Sequence, residues 1–255
     1  MESGAHLDYG KYKESYDRDG FVIVRDFLTS AELAELAAEI GRFVREVVPA
    51  LPETQVFYET GADGKPAARQ IHRVNHDPYF DAYLNHPKWT ALARALVGEA
   101  VTPRFPIYFN KPPGSDFPTP PHQDNCAFGL DPARGVQIFL AVTERLDEEN
   151  GCLRYITGSH LQGPRKHGYS GVRGFALEIS DFGPEDEARE ALAELNPGDV
   201  VCHHPLIVHR ALRNRSVNRS RVAFAMWFRG ESARVNPELV AFYEQNARTA
   251  QAAGR

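Results

Sequence analysis

The sequence predicts a mainly β protein of the sandwich or jelly-roll type, flanked by helices. Residues 1–100 carry mostly helical periodicity, whereas from Val101 onward short apolar runs alternate with clusters of Gly, Pro, Asn and Asp. Many short strands with such punctuation are typical of a jelly roll. We expect one domain over residues 1–255, with a helical buttress and leading strands in 1–100, a jelly-roll core in 101–230 and a C-terminal helix in 231–255.

The N-terminal buttress is predicted from local signals. The β-branched run at residues 21–24 indicates a buried strand, because Gly20 and Asp26 bound it. Thr29 or Ser30 is expected to cap a long helix that ends before Pro49. The remaining predictions are a helix at 9–17, strands at 55–58 and 68–74 around a turn at 61–64, and a helical hairpin at 78–97.

The predicted core consists of short strands. They are expected at residues 101–111, 135–143, 151–155, 199–202, 207–212 and 221–228. The interval 158–197 is long, glycine-rich and charged, which is typical of a lid or binding loop, and one helix is predicted in it at 184–195. A terminal helix is predicted at 237–253.

Composition narrows the class of function. The net charge of −5 gives no reason to expect nucleic acid or an anionic membrane as a partner. No apolar run approaches the roughly 18 residues of a transmembrane helix, and the N-terminus lacks the layout of a secretion signal. Three cysteines at unrelated spacings indicate neither a disulfide framework nor a zinc finger. We expect a cytoplasmic protein, monomeric by default, that acts on a small molecule.

The most informative motif is a histidine and an aspartate two residues apart, His122 and Asp124, joined by the distant His209. Side chains at i and i+2 of a strand project to the same face, so the first two can reach one metal ion. Two histidines and one carboxylate form a facial triad, which binds Fe(II) and leaves one side open for substrate and O₂. Gln123 points away from the ion and can at most line the neighbouring pocket.

Other histidines have blander interpretations. His203 and His204 are adjacent, so at most one of them can face the metal, and structural roles are expected for both. A hydrogen-bonded turn position is expected for His160. His72, His76 and His86 form no convincing ligand set, and Cys126 and Cys152 are expected to be small buried residues.

Arg221 opens the apolar run 222–228, twelve residues after His209. An arginine at the mouth of a buried strand is costly unless a partner neutralises it. Its planar fork matches a carboxylate with two parallel hydrogen bonds. A dicarboxylic co-substrate that chelates iron at one end would therefore bind Arg221 at the other.

Several spaced motifs in this order resemble the phytanoyl-CoA dioxygenase family over residues 9–230. The motifs are Asp19-Gly20-Phe21-Val22-Ile23-Val24, Asn110-Lys111-Pro112-Pro113-Gly114-Ser115, His122-Gln123-Asp124, Glu149-Asn150-Gly151-Cys152-Leu153, Gly158-Ser159-His160, Gly198-Asp199, and His204-Pro205-Leu206-Ile207-Val208-His209 with Asn214, Ser216 and Arg221. The resemblance implies a double-stranded β-helix, a cupin-like jelly roll. It also implies an Fe(II)- and 2-oxoglutarate-dependent dioxygenase that uses O₂.

The resemblance assigns residues to roles. It implies His122, Asp124 and His209 as iron ligands and Arg221 as the partner of the distal carboxylate of 2-oxoglutarate. Arg73, as a basic residue near the co-substrate, and Ile107, as a residue lining its pocket, are further assignments. Related halogenases replace the aspartate with a small residue, so the carboxylate favours hydroxylation or another C–H oxidation.

Two positions depart from the family, and both are expected to alter the lining of the co-substrate pocket. Many relatives have a serine where this chain has Ala211, and some have a tryptophan at about Leu140. Aromatic and amide side chains near the motif are candidates for the substrate wall. They are Gln70, Tyr108, Phe109, Gln123, Asn125, Phe128 and Phe139.

Two other classes of function fit parts of the pattern. A non-catalytic cupin-like binding protein would keep the barrel, but it is expected to lack a ligand or the arginine. A zinc-dependent hydrolase could use the same three ligands, but it gives Arg221 no role. The arginines at 210, 213, 215, 219, 221, 229 and 234 favour an anionic substrate, or else they are solvated.

Overall fold

A computed structural model describes residues 9–61, 64–172 and 174–253. The turn predicted at 61–64 includes residues 62 and 63, which lie outside the described residues. The helices are α1 Tyr9–Asp19, α2 Ser30–Glu46, α3 Pro78–Leu84, α4 Pro87–Val97, α5 Asn125–Phe128, α6 Pro184–Glu187 and α7 Pro237–Ala253. The strands are β1 Phe21–Val24, β2 Val56–Thr60, β3 Pro66–His72, β4 Val101–Lys111, β5 Thr119–His122, β6 Leu130–Asp131, β7 Gly135–Ala141, β8 Leu153–Ile156, β9 His167–Val172, β10 Phe175–Ile179, β11 Glu190–Ala193, β12 Val200–His203, β13 His209–Ala211, β14 Arg221–Gly230 and β15 Arg234–Val235.

The larger sheet has seven antiparallel strands in the order β1-β12-β7-β14-β4-β3-β2. Its outer face packs against the N-terminal helices, which Thr29 helps to fix through a capping box at the start of α2. Alternation along β14 sends Phe224, Met226 and Phe228 into that helical core. The opposite face of the sheet is therefore free to line a cavity.

The smaller sheet has four antiparallel strands in the order β11-β8-β13-β5. A second apolar cluster, which includes Leu153 and Tyr155 of β8 and Ala223 and Ala225 of β14, lies between the two sheets. Two facing antiparallel sheets with flanking helices confirm the predicted jelly roll.

The interval 158–197 differs from its prediction. It contains the hairpin of β9 and β10, and the helix expected at 184–195 is limited to α6 at Pro184–Glu187. The residues after α6 form β11, which pairs with β8 from Glu190 opposite Ile156 to Ala193 opposite Leu153. Local sequence there favours a helix, but pairing along an open sheet edge satisfies the backbone and decides the outcome. Among the described residues, no helix is long and apolar enough to span a bilayer.

Candidate active site

The two histidines of the motif meet across one strand pair. His122 ends β5 and lies directly opposite His209, which begins β13. Asp124 follows in the turn after β5, and its Oδ1 lies 3.4 Å from His122 Nε2 and 3.8 Å from His209 Nε2. The three potential ligand atoms all lie within 4.8 Å of one another. This spacing allows one metal ion to contact all three.

Backbone carbonyls orient both imidazoles. His122 Nδ1 lies 2.8 Å from Pro120 O, and His209 Nδ1 lies 3.2 Å from Ile207 O. A carbonyl oxygen only accepts, so each Nδ1 carries the proton and each Nε2 presents a lone pair. Metal-binding histidines are commonly oriented in this way.

Asp124 is held by a buried chain of hydrogen bonds. His203 Nε2 donates to Asp124 Oδ2 over 2.9 Å, and the Tyr155 hydroxyl donates to His203 Nδ1 over 2.8 Å. Oδ2 is therefore occupied, whereas Oδ1 faces the imidazoles of His122 and His209. The expectation that at most one of His203 and His204 faces the centre agrees with this arrangement, because His203 supports a candidate ligand.

The protonation states suit a cation. Burial lowers the pKa of His209 well below its usual range, with a further contribution from His122. Burial opposes ionisation of Asp124, but His209, His122 and His203 together hold the pKa of its carboxyl well below the usual range. Neutral imidazoles and an ionised carboxylate are the forms that ligate metals.

The centre opens into a cavity of about 370 Å³ between the two sheets. This volume is in the range of small-molecule sites. The residues lining it are Gln70, His72, Arg104, Phe105, Ile107, Phe109, Thr119, His122, Asp124, Cys126, Ala127, Phe128, Gln137, Phe139, Leu153, Gly174, Phe175, Ala176, Leu177, His203, His209, Arg221, Trp227, Arg229 and Val235. Most of these residues are apolar, and the basic side chains belong to β3, β4 and β14 in addition to the centre itself.

Arg221 lies at the inner end of this cavity. It is 3% exposed, its Nε has no hydrogen-bond partner, and its guanidinium carbon lies 5.5 Å from the centroid of the Phe139 ring. Burial lowers the pKa of Arg221 to about 10. Lys111 sits directly opposite on β4 and donates to Leu212 O over 2.6 Å. A buried cation with an unused donor fits a carboxylate ligand.

These features together match iron and 2-oxoglutarate. His122, Asp124 and His209 can hold a divalent metal, and Arg221 supplies a planar cation at the closed end of the same cavity. Phe139 packs against Arg221 and also lines the cavity, so a dicarboxylate there would be shielded from water.

Some of the residues predicted from sequence line the cavity. Ile107 and Phe109 of β4, Phe128 after the motif, and Phe139 of β7 are all in its wall, as is Gln70 of β3. The strand residues among them lie on the faces that alternation turns toward the smaller sheet.

Four other candidates are not among the residues that line the cavity. Arg73 is exposed in a left-handed conformation, with φ of 54°, directly after β3. Tyr108 faces the helical core because its neighbours on β4 face the cavity. Gln123 donates to Gly163 O and Leu206 O, and Asn125 donates to Leu130 O, so both amides are committed to the backbone.

The two departures from the family have different consequences. Leu140 is fully buried in the helical core, on the face of β7 opposite to Phe139, so the expected effect on the pocket lining was wrong there. Ala211 is buried and lies opposite Thr119 of β5. Thr119 lines the cavity, and a hydroxyl is thus available across the strand pair from the alanine.

Several cavity residues were missed. His72 belongs to the wall, and alternation from Gln70 on β3 could have indicated it. Trp227 and Arg229 follow from the same alternation along β14, starting at Arg221. Arg104 could not be found in this way, because an irregularity in strand pairing controls its direction.

The family profile of phytanoyl-CoA dioxygenase (PhyH) matches residues 16–223 of the chain. The chain belongs to the phytanoyl-CoA dioxygenase family. Rat peroxisomal phytanoyl-CoA dioxygenase is 26% identical over 217 residues, which are 80% of this chain and 63% of the rat protein. Mouse phytanoyl-CoA dioxygenase domain-containing protein 1 is 24% identical, with 89% of this chain and 94% of that protein covered.

Solved structures share the fold of this family member. The epimerase SnoN, in complex with Fe³⁺, alpha ketoglutarate and nogalamycin RO, superposes with a TM-score of 0.73 at 22% identity, covering 92% of this chain and 88% of SnoN. EvdO2 from Micromonospora carbonacea var. aurantiaca, complexed with 2-oxoglutarate, gives a TM-score of 0.71 at 25% identity, covering 92% of this chain and 96% of EvdO2. The chain spans a little under two thirds of the mammalian peroxisomal relatives.

Proposed function

We propose that the protein is an Fe(II)- and 2-oxoglutarate-dependent oxygenase that hydroxylates, or otherwise oxidises, a C–H bond of a small organic molecule. The observation that carries this proposal is the presence in one cavity of the three-ligand cluster and the buried, unsatisfied Arg221. Family membership supports it, as does the binding of iron and 2-oxoglutarate by SnoN and of 2-oxoglutarate by EvdO2.

Bound iron, together with 2-oxoglutarate and O₂, supplies an oxidant for C–H bonds while 2-oxoglutarate is converted to succinate and CO₂. The protein provides position and shielding. His122, Asp124 and His209 would hold the metal, and the hydrogen bond from His203 to Asp124 Oδ2 leaves Oδ1 available for it.

Arg221 binds the distal carboxylate of the co-substrate and thereby fixes its direction in the cavity. Ala211 has no hydroxyl to assist the co-substrate carboxylate, but Thr119, which lies opposite it and lines the cavity, offers one. The Phe175 ring lies 5.7 Å from that of His122 and excludes water from the reacting centre. Neither zinc hydrolysis nor simple binding requires the buried cation that Arg221 provides.

Arg221→Gln tests the assignment. The variant should weaken 2-oxoglutarate binding by about 100-fold, because two charge-assisted hydrogen bonds are lost. Binding is measured by isothermal titration to Mn(II)-loaded protein, and iron content is measured in parallel and should be unchanged. The matched control is Arg210→Gln, since Arg210 is paired with Glu190 at 2.6 Å. Equal affinity in Arg221→Gln and wild type would refute the role of Arg221.

A further inference from the structure

The outer end of the cavity has its own cationic group. Along β14, Arg221, Ala223, Ala225, Trp227 and Arg229 share the face that is turned toward the smaller sheet, with Arg221 and Arg229 at its ends. Eight strand residues span roughly 26 Å. Arg229 is therefore too far from Arg221 to bind the same small dicarboxylate.

A bulge directs a second arginine to this outer end. Between β14 and β4, Met226 pairs with Pro106 but Phe228 pairs with Pro103, so β4 contains one extra residue opposite Trp227. Bulges of this type re-aim side chains beside active sites. Here both Arg104 and its neighbour Phe105 line the cavity, which strict alternation would forbid.

The polar groups at this end lack protein partners. The Nε of Arg229 and the indole Nε1 of Trp227 are buried without an acceptor. Arg104 lies over the Trp227 ring with its guanidinium carbon 5.9 Å from the centroid. Trp227 itself is 4% exposed. Among the described residues, neither arginine has a carboxylate oxygen within the 4.0 Å of an ion pair, although Arg210, Arg213 and Arg219 of the same segment all do.

The wall between this end and the metal centre is apolar. The Phe128 ring lies 4.1 Å and the Phe105 ring 5.8 Å from the Trp227 ring, and the three form one small cluster. Ile107 and Phe139 continue the apolar surface toward His122 and His209. A ligand that fills this path needs an apolar body and one charged end.

We propose that Arg104, Arg229 and Trp227 form a subsite for an oxyanion of the substrate, a carboxylate or a phosphate ester. The apolar body of the substrate then lies along Phe105, Phe128 and Ile107 and presents a C–H bond to the metal centre. The inference rests on the proposed oxygenase function and narrows its substrate to amphiphilic organic anions. The positive charges of Arg104 and Arg229 bind the anionic end of the substrate and so fix its orientation. Arg221 remains bound to the co-substrate.

A series of probes with matched linear alkyl chains tests this subsite without turnover. The probes are octanoate, octyl phosphate, octan-1-ol and octyltrimethylammonium. Binding is followed by tryptophan fluorescence, because the chain has two tryptophans and Trp89 is 1% exposed in the helical core. Trp227→Phe should remove the response, which confirms its source.

Octanoate or octyl phosphate should bind about tenfold more tightly than octan-1-ol, and the cation should bind most weakly. The tighter of the two anions identifies the oxyanion. The double variant Arg104→Gln/Arg229→Gln should bind both anions no better than the alcohol. The matched charge control is Arg94→Gln, an exposed arginine on α4 outside the cavity lining, and it should retain the preference.

The same titrations in an Arg221→Gln background separate this proposal from the proposed function. An anion preference that persists without Arg221 belongs to the outer end, whether or not 2-oxoglutarate binds at the inner end. Equal binding of alcohol and both anions, or a preference that the double variant retains, overturns the subsite. Failure of 2-oxoglutarate to bind wild-type protein would instead overturn the oxygenase function.

Discussion

The two ends of the cavity carry the same residue on the same strand face but differ in their access to water. Arg221 is 3% exposed, and burial lowers its pKa to about 10. Arg229 is half-buried, and its neighbour Arg104 is exposed. A buried cation that forms no ion pair within the described part of the chain, and that feels the Glu59 carboxyl only from a distance, destabilises the protein until a ligand arrives, whereas a hydrated cation costs little. The inner end is therefore suited to one constant co-substrate and the outer end to recognition of a particular substrate.

The largest expected effect comes from removing the centre that lies between the two ends. Asp124→Ala should lower Fe(II) affinity by more than ~100-fold, because loss of a supporting partner alone commonly costs 10–100-fold. Metal content after anaerobic loading and gel filtration measures the effect. The matched control is His86→Gln, a histidine that only caps α4 through Lys88 N. Wild-type iron content in Asp124→Ala would contradict the assigned ligand set.

The energetic difference between the two ends can be measured without ligands. Arg221→Met should raise the free energy of unfolding of the apo-protein by about 3 kcal/mol, the equivalent of the lowered pKa. Arg229→Met should change it by less than about 0.5 kcal/mol, since the guanidinium is partly hydrated. Urea denaturation of the two variants and the wild type provides the comparison.

The increase in the free energy of unfolding expected for Arg221→Met depends on pH only through the protonation of Arg221. The pKa of Arg221 is lower in the folded protein than in the unfolded chain. The buried guanidinium therefore destabilises the folded protein to the full extent at every pH below about 10. The gain in Arg221→Met should consequently be constant from about pH 6 to pH 8. Destabilisation by Arg221→Met would show that the cation already has an effective partner in the apo-protein.

A smaller effect on Fe(II) affinity is expected from the hydrogen bonds that hold Asp124, which belong to neither end of the cavity. Tyr155→Phe removes the hydroxyl that donates to His203 and should weaken Fe(II) binding by about tenfold. Tyr108→Phe is the control, because Tyr108 lies on the helical side of β4. Competition with a chromogenic chelator measures both affinities, and equal values for the two variants would exclude a role for the Tyr155 hydroxyl.

The smallest expected effect concerns the middle of the cavity wall. Burial lowers the pKa of His72 to about 4, so this histidine adds no positive charge to the cavity wall at pH 7. The unfolded chain binds the proton more tightly, and stability must therefore fall as the pH drops from 6.5 toward 4. His72→Gln should recover about 1 kcal/mol at pH 5, allowing for partial exposure, and nothing at pH 8. Urea titrations at the two pH values measure this, and an equal change at both would contradict the protonation argument.

The sequence was sufficient where function and local structure follow from spacing. The two-residue spacing of His122 and Asp124 predicted that both side chains reach one point, and the structure brings them together with His209, although Asp124 lies in the turn after β5 and not on the strand. The apolar run after Arg221 correctly predicted β14, including the burial of the arginine at its start. The position of β14 depends only on one continuous run of residues, which is why the sequence predicts it.

What could not be predicted depends on pairing between distant segments. β11 forms in a stretch with strong helical propensity because β8 offers an open edge, and Arg104 reaches the cavity only because β4 bulges against β14. Tyr108 was misplaced for the related reason that composition does not reveal which face of a strand is inward. Each outcome requires knowledge of the register, which single-sequence patterns do not supply.

Anaerobic titration of the apo-protein with Fe(II) and then 2-oxoglutarate tests the central claim most directly. In the proposed site, His122, Asp124 and His209 would leave part of the metal free for a chelating ligand, and Arg221 would hold the far carboxylate in the same cavity. A visible metal-to-ligand charge-transfer band should therefore appear at one equivalent of iron, and it should require a much higher 2-oxoglutarate concentration in Arg221→Gln. Folded protein that binds iron but develops no such band would contradict the account.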